Sequence, residues 1–206
     1  MDTETEAMNS ADKPESPADQ TQPSVEAREN ETRGLVLVNT GDGKGKTTAA
    51  LGTVLRAVGY GHRCLIVQFI KGSWTYGEMK SIKRLEPEVE FYRMGKGFVG
   101  IIDDKLPRDE HERAAAEALA FAREKLASGN YRMVLLDEIF VALQLNLIGK
   151  DDVLRLLDVR PPQTTLILTG RGAPAEVIER ADTVTEMREI KHAYRKGILA
   201  QRGVDY

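Results

Sequence analysis

Residues 40–48, Thr-Gly-Asp-Gly-Lys-Gly-Lys-Thr-Thr, combine the residue types that bind phosphate. Glycines stand at alternate positions, at Gly41, Gly43 and Gly45. Because glycine lacks a Cβ and tolerates unusual backbone angles, successive N–H groups of such a loop can point at one anion. The ammonium of Lys46 adds a mobile positive charge, and the hydroxyl of Thr47 is a ligand that suits Mg²⁺. The segment is therefore predicted to bind phosphate.

The loop departs from the strict spacing G-x-x-x-x-G-K-[ST], which places a glycine where this chain has Thr40. Gly41 follows directly, so we expect a loop that is altered or tighter at its start. The alternative is a surface turn without a ligand. The flanking residues favour phosphate binding, because an apolar run at 35–38 precedes the loop and a helical pattern at 49–57 follows it.

Two acidic residues, Asp137 and Glu138, come directly after the apolar run 133–136. A carboxylate in this position can reach a loop-bound Mg²⁺ ion directly or through water. The alternative is an ordinary helix N-cap, a position that Asp favours. We expect at least one of the two carboxylates to contact the metal, and the sequence leaves open which one.

Five further side chains each have two interpretations. Arg171, in a Thr-Gly-Arg-Gly segment, is either a phosphate clamp or a surface arginine, and Lys44 contacts either phosphate or solvent. The aromatic residues Trp74 and Tyr76 either stack on a flat ligand or pack within their loop. Phe98 lies between two glycines, where its ring faces either a bulky ligand or the local core.

The elements that must position these residues alternate between strand and helix from Gly34 onwards, which is typical of an α/β fold with a mostly parallel sheet. The predicted strands span about 34–39, 64–70, 89–92, 133–136, 165–168 and 183–186. The predicted helices span about 46–59, 78–86, 108–128, 139–147, 151–158 and 174–180, and residues 94–100 form a loop. Ligands of open parallel sheets bind beyond the carboxyl ends of the strands, so the loops 40–48, 71–77, 137–138 and 169–172 are expected to converge.

The N-terminal residues 1–33 differ in composition from the rest of the 206-residue chain. They carry nine acidic and three basic residues, a net charge of −6, whereas the whole chain is −3 and the remainder therefore +3. Residues 1–33 are predicted to be a disordered acidic tail, followed by one domain over 34–206. The weak positive excess of the domain gives no reason to expect nucleic acid as a partner.

Other features exclude several classes of protein. No apolar run approaches the ~20 residues that span a bilayer, so no membrane association is expected. The single cysteine, Cys64, fits a reducing compartment and a cytoplasmic protein. The three histidines share no metal-ligand spacing, and no nucleophile–base arrangement is visible. The chain also lacks the Asn-Lys-x-Asp segment that reads guanine and an arginine-rich lid typical of nucleotide kinases.

Taken together, the chain resembles the P-loop type of ATP:corrinoid adenosyltransferase over about residues 34–206. The segments that carry the resemblance are 40–48, Val67–Trp74, Val134–Glu138, Leu168–Gly172, Ala181–Val184, Lys191–Tyr194 and Gly203–Tyr206. The resemblance implies a RecA-like P-loop nucleotide-binding fold with helices on both faces of the sheet. It also implies a homodimer, and ATP bound with Mg²⁺ or Mn²⁺. The reaction it implies is attack by cobalt(I) of a reduced corrinoid on the 5′ carbon of ATP, with release of the whole triphosphate.

The resemblance also implies roles for residues of this sequence. The phosphate site corresponds to Gly41, Asp42, Gly43, Lys44, Gly45, Lys46, Thr47 and Thr48. Lys46 would stabilise the departing triphosphate, Thr47 and Glu138 correspond to metal-contacting positions, and Phe98 to an aromatic residue against the corrin face. Gly100 replaces a tryptophan found in some relatives, and the segment that caps the site in relatives has no clear counterpart in residues 1–33.

A reductase or flavoprotein is the kind of partner that would supply electrons to such a reaction. Two other functions remain compatible with the loop itself. One is phosphoryl transfer by a kinase or ATPase, and the other is nucleotide binding by a regulator without catalysis.

Overall fold

The computed structural model describes residues 33–70, 76–97, 99, 104 and 106–206, and Arg33–Tyr206 forms one compact unit. The six strands in these residues are β1 Val36–Thr40, β2 Cys64–Gln68, β3 Val89–Arg93, β4 Met133–Asp137, β5 Thr165–Thr169 and β6 Thr183–Glu186. The α-helices are α1 Lys46–Gly59, α2 Gly77–Ile82, α3 Arg108–Ala127, α4 Ile139–Gln144, α5 Lys150–Val159 and α6 Ala175–Glu179. Short 3₁₀ helices cover Lys83–Leu85 and Ala193–Lys196.

The strands form one sheet in the order β3-β2-β4-β5-β1-β6, and every pairing between neighbours is parallel. The registers align the carboxyl ends of the central strands, because Gln68 of β2 lies opposite Asp137 of β4, and Asn39 of β1 lies opposite Thr169 of β5. β5 therefore separates the strand that precedes the glycine-rich loop from the strand that ends in Asp137. The loops that follow these neighbouring strands meet at one edge of the sheet, as the sequence predicts.

Alternate residues of the strands enter two hydrophobic clusters, one on each face of the sheet. One cluster joins β1, β2, β4 and β5 to the helices α3, α4, α5 and α6, and Phe140 and Leu156 are among its fully buried members. The other packs the opposite faces of these strands against α1 and α2, through residues such as Val54 and Ile82. The predicted α/β fold with helices on both faces of the sheet is therefore confirmed.

Several element boundaries differ from the prediction. The β2 strand ends at Gln68, although Phe69 and Ile70 beyond it remain buried. The helix predicted over 139–147 stops at Gln144, because Asn146 adopts a left-handed conformation (φ 53°) that turns the chain. None of the helices in the described residues combines the length and apolar character that crossing a membrane requires. Residues 1–32 lie outside the described part, so the disordered acidic tail stays a prediction.

Candidate nucleotide-binding site

The glycine-rich loop connects β1 to α1, and its conformation depends on a left-handed glycine. Gly45 has φ 118° and ψ −9° at the N-cap of α1, an arrangement that a residue with a Cβ rarely adopts. No side chain caps this helix end, so its N–H groups and the positive end of its dipole face the loop. Exposed N–H groups at a helix N-terminus behind a glycine-rich turn form an anion-binding site.

The loop is supported from behind by the chain that follows β6. The N–H of Gly43 donates to the carbonyl of Met187 at 2.7 Å, and the N–H of Met187 donates to the carbonyl of Thr40 at 2.8 Å. A Cβ placed on Gly43 would lie 2.7 Å from the carbonyl carbon of Arg188 and 2.8 Å from that of Met187. Glycine at position 43 therefore allows the backbone of the loop to approach the backbone at 187–188 closely, and this contact fixes the conformation of the loop.

The side chain of Lys46 folds back over the loop. Its Nζ donates to the carbonyl oxygens of Gly41 and Gly43, each at 2.7 Å. Partial burial, and next the positive charge of Arg171, lower the pKa of Lys46, whereas nearby carboxylates oppose this change. A bound polyanion would stabilise the charged form and raise this pKa again. The ammonium is thus already at the loop, held by two weak carbonyl acceptors that phosphate oxygens can replace.

Asp137 is fully buried at the end of β4 and accepts three hydrogen bonds from three different elements. Thr47 of α1 and Thr169 of β5 donate to its Oδ1 at 2.8 and 2.7 Å. Gln68 of β2 donates to its Oδ2 at 3.0 Å. Because Thr47 uses its proton in this bond, the lone pairs of its oxygen stay available to a cation. Asp137 therefore orients Thr47.

Glu138 has a different environment from its neighbour. It adopts a left-handed conformation (φ 61°, ψ 23°) at the N-cap of α4, and its N–H donates to Oγ1 of Thr169 at 2.9 Å. This turn brings Glu138 into the lining of the cleft in front of the loop, which Asp137 does not line. The sequence left open which carboxylate contacts a metal, and the geometry favours Glu138.

The cleft in front of the loop has a volume of about 610 Å³, within the range of small-molecule sites. Its lining includes Lys44, Lys46, Thr47, Thr48, Tyr76, Glu138 and Tyr206. Tyr76 therefore lines the cleft, and its predicted role in stacking on a ligand stays a prediction. The cleft is large enough for a nucleotide.

The remaining candidates lie near the loop or outside the described residues. The guanidinium of Arg171 lies 4.0 Å from the carboxylate of Asp42, and both side chains are exposed. Arg171 and Lys46 also line a second pocket beside the loop, and the role of Arg171 toward phosphate stays a prediction. Phe98, Trp74 and Gly100 fall outside the described residues, and their predicted roles stay predictions.

The donor set suits a hard cation held partly by the nucleotide. Among the described residues, no group of three or more His, Cys, Asp and Glu side chains could hold a metal by itself. Mg²⁺ prefers oxygen ligands and is commonly bound by one or two protein groups together with substrate phosphates and water. The Thr47 hydroxyl and the Glu138 carboxylate match that pattern.

Sequence reasoning missed two kinds of contributor. Thr169 and Gln68 hold Asp137 at the carboxyl ends of central strands; the sequence places Thr169 in a loop expected to converge on the site, but assigns neither residue this role. Residues 203–206 line the cleft although they are about 160 positions away from the loop in sequence. No local signal in the sequence reveals that contact.

A six-stranded parallel sheet, with a phosphate-binding loop after β1 and an acidic residue at the end of β4, defines a RecA-like P-loop nucleotide-binding protein. Residues 32–206 match the family ATP:corrinoid adenosyltransferase BtuR/CobO/CobP, and the chain belongs to that family. ATP and a corrinoid are accordingly its substrates.

Curated relatives agree with this membership. The corrinoid adenosyltransferase of Escherichia coli (strain K12) is 44% identical over 181 residues, which cover 87% of this chain and 89% of the relative. The corrinoid adenosyltransferase CobA of Salmonella typhimurium is 42% identical, with the same coverage of 87% and 89%. The corrinoid adenosyltransferase of Pseudomonas aeruginosa is 41% identical and is covered over 87% of its length.

The contact between Gly43 and the chain at 187–188 gives a testable prediction. Gly43→Ala is expected to weaken ATP binding by about tenfold or more, because the new methyl displaces the loop and misplaces its N–H groups. Isothermal titration calorimetry with Mg²⁺ and ATP measures the effect.

The matched control is Gly52→Ala, at an exposed helical position of α1 where an added Cβ meets no atom within 4 Å. This control is expected to keep ATP affinity and to stabilise the fold by up to about 1 kcal/mol, since alanine favours helix. Unchanged affinity in Gly43→Ala would contradict the proposed loop geometry.

Proposed function

We propose that this protein transfers the 5′-deoxyadenosyl group of ATP to the cobalt(I) of a reduced corrinoid, in the biosynthesis or salvage of adenosylcobalamin. The observation that carries the proposal is a phosphate-binding loop that opens into a nucleotide-sized cleft, in a chain that matches the adenosyltransferase family from residue 32 to residue 206. The cobalt electron pair forms the new Co–C bond. The bond between C5′ and its oxygen breaks, and that oxygen keeps the bonding pair as triphosphate leaves.

The residues of the loop, 41–48, are proposed to hold the triphosphate through the ammonium of Lys46 and through their N–H groups, except that of Gly43, which donates to Met187. Two features support this role. The free N-terminus of α1 directs its N–H groups to the loop, and Nζ of Lys46 donates to the loop carbonyls of Gly41 and Gly43. As the triphosphate departs, negative charge grows on its oxygen, and fixed donors stabilise that charge by about 3 kcal/mol each in enzymes of known mechanism.

Thr47 and Glu138 are proposed to contact a Mg²⁺ or Mn²⁺ ion bound with ATP. Their support is the hydrogen bond from Thr47 to Asp137, which leaves the threonine lone pairs free, and the position of Glu138 in the lining of the cleft. A divalent ion of this kind supplies positive charge beside the phosphates. The task of Asp137 is then to orient Thr47 rather than to bind the ion.

The site needs no general base for this reaction, because cobalt(I) carries the nucleophilic electron pair itself. The protein has to align C5′ with the corrin and stabilise the leaving group, which are tasks of position and charge. Phe98 is proposed to contact the corrin face. We also propose a homodimer of this chain and a reductase or flavoprotein as the electron donor, both by analogy with the family.

One assay tests the function against its two alternatives. The protein is incubated without oxygen with ATP, Mg²⁺ and a chemically reduced corrinoid, and the phosphate product is identified. Intact triphosphate together with a new Co–C absorbance spectrum supports the proposal. Release of ADP indicates phosphoryl transfer, and ATP binding without turnover indicates a nucleotide-binding regulator.

Lys46→Ala is expected to lower kcat by about 100-fold or more, because it removes a fixed charge from the leaving triphosphate. The measurement is the rate of Co–C bond formation, with the unfolding midpoint as a check on the fold. Lys150→Ala is the control, since Lys150 does not line the cleft. Near-normal turnover in Lys46→Ala would count against the loop as the triphosphate site.

Glu138→Gln is expected to raise the Mg²⁺ concentration for half-maximal rate by about tenfold or more, because an amide is a weaker ligand than a carboxylate. A Mg²⁺ titration of the rate at saturating ATP measures this change. Glu78→Gln removes another carboxylate that lines the cleft and is expected to leave the Mg²⁺ requirement unchanged. Equal shifts in both variants would indicate a general charge effect.

Phe98→Ala is expected to impair corrinoid turnover much more than ATP binding, because the ring is proposed to contact the corrin alone. Steady-state kinetics with varied corrinoid, and calorimetry with ATP, separate the two effects. Equal loss of corrinoid turnover and ATP binding, or loss of neither, would favour a role for Phe98 in packing the local core.

A further inference from the structure

Residues 201–206 fold back on themselves in a compact turn, here called the 201–206 turn. The N–H groups of Val204 and Asp205 both donate to the carbonyl of Gln201, at 3.1 and 2.8 Å. The N–H of Gly203 donates to the carbonyl of Tyr206 at 2.7 Å. These bonds give the turn a defined shape of its own, so it can act as one unit.

One side of the turn is bound to the glycine-rich loop. Nζ of Lys44 donates to the carbonyl of Val204 at 2.8 Å and forms an ion pair with Oδ1 of Asp205 at 2.6 Å. The second carboxylate oxygen of Asp205 accepts the N–H of Gln201 at 2.8 Å. The carboxylate therefore links the loop lysine to the backbone of the turn.

The other side of the turn reaches the start of α2. A Cβ placed on Gly77 would lie 3.8 Å from the carbonyl oxygen of Tyr206, so the two backbones are neighbours. Between these two points, Gly203, Val204, Asp205 and Tyr206 all line the cleft in front of Thr47. The turn thus crosses the cleft from the loop to α2.

Apolar packing contributes little to holding this part of the chain. None of the residues from 182 to 206 is buried, and Leu199, just before the turn, is 75% exposed. The two hydrogen bonds from Lys44 are therefore the main side-chain tether between the turn and the loop. A segment held by few contacts can open and close around a ligand.

We propose that Asp205 is a positioning residue that, through Lys44, holds the 201–206 turn across the cleft and so retains the triphosphate of bound ATP. This inference rests on the proposed function, since it assumes that ATP occupies the cleft. The backbone N–H of Lys44 serves the phosphates as part of the loop, while its side chain serves the turn. The negative charge of Asp205 beside a polyanion is then offset by the ammonium that it binds.

Charge repulsion between Asp205 and ATP alone predicts the opposite sign for the effect of removing the carboxylate on ATP affinity. If Lys44 left Asp205 to bind phosphate, the carboxylate would compete with ATP, and its removal would strengthen ATP binding. If the turn retains ATP, removal of the carboxylate releases the turn and weakens binding. The sign of one measured change separates the two cases.

The test uses the full chain and three variants, Asp205→Asn, Lys44→Met and the double variant. Calorimetry with Mg²⁺ and ATP gives affinity, and stopped-flow displacement of a fluorescent ATP analogue gives the dissociation rate. Asp205→Asn is expected to weaken binding by about fivefold, the upper range for an exposed ion pair, mainly through faster dissociation. The double variant is expected to bind no more weakly than the weaker single variant, because both changes release the same tether.

The matched control is Asp158→Asn, which breaks an ion pair with Arg180 of similar length, 2.7 Å, between side chains that do not line the cleft. It is expected to leave ATP affinity unchanged. Asp205→Asn is also expected to raise KM for ATP while kcat stays within about twofold of the wild-type value, since the alignment at C5′ depends on other groups.

Tighter or unchanged ATP binding by Asp205→Asn would overturn the inference, and so would additive losses in the double variant. Failure of the proposed function has a different signature, because the wild-type protein would then form no Co–C bond with ATP and reduced corrinoid, whatever the effect of Asp205→Asn on ATP affinity. A lower unfolding midpoint with unchanged affinity would identify the ion pair as a purely structural contact, which would also contradict the proposal.

Discussion

The buried carboxylate of Asp137 is the interaction on which the geometry of the site depends. A carboxylate away from water is costly unless hydrogen bonds replace its hydration, and Asp137 accepts three of them. The donors come from α1, β2 and β5, so a single side chain fixes the first turn of the loop helix against two strands. The bonds from Gln68 and Thr169 fix the position of the Asp137 carboxylate at the strand ends. The carboxylate in turn fixes the orientation of Thr47, which donates to it.

The parallel order of the sheet explains why this alignment is available. β4 lies between β2 and β5, and β5 lies beside β1, so Gln68, Asp137, Thr169 and the loop follow neighbouring strands. A parallel sheet places all carboxyl ends at the same edge, and both of its faces are covered by helices. The carboxyl edge of the sheet is therefore open to a ligand, and the buried polar residues Gln68, Asp137 and Thr169 lie there.

Much of this fold could be predicted from the sequence, because it follows from local patterns. The alternation of apolar runs and helical segments predicts the strands and helices, and the spacing of glycines and Lys46 predicts the loop. Boundaries such as the early end of α4 could not be predicted, since they depend on the left-handed turn at Asn146. The different environments of Asp137 and Glu138 also escaped prediction, because adjacent carboxylates look alike until the backbone turn between them is known.

The contacts that the chain beyond β6 makes with the loop are the part of the site that local sequence patterns predict least. Met187 supports Gly43 through backbone atoms, and neither residue type indicates the contact. The side chain of Lys44 donates to Asp205, a protein partner that the loop pattern, which offers phosphate or solvent, does not indicate.

The nucleotide site is consequently assembled from both ends of the domain. The loop supplies N–H groups and charge, while the residues after β6 fix its shape from behind and line its cleft in front. This arrangement suits a reaction in which a reactive metal centre must meet only one carbon of ATP. In the proposed function, backbone donors of the loop stabilise the triphosphate as it leaves, and they require no proton transfer that could consume the cobalt(I) nucleophile.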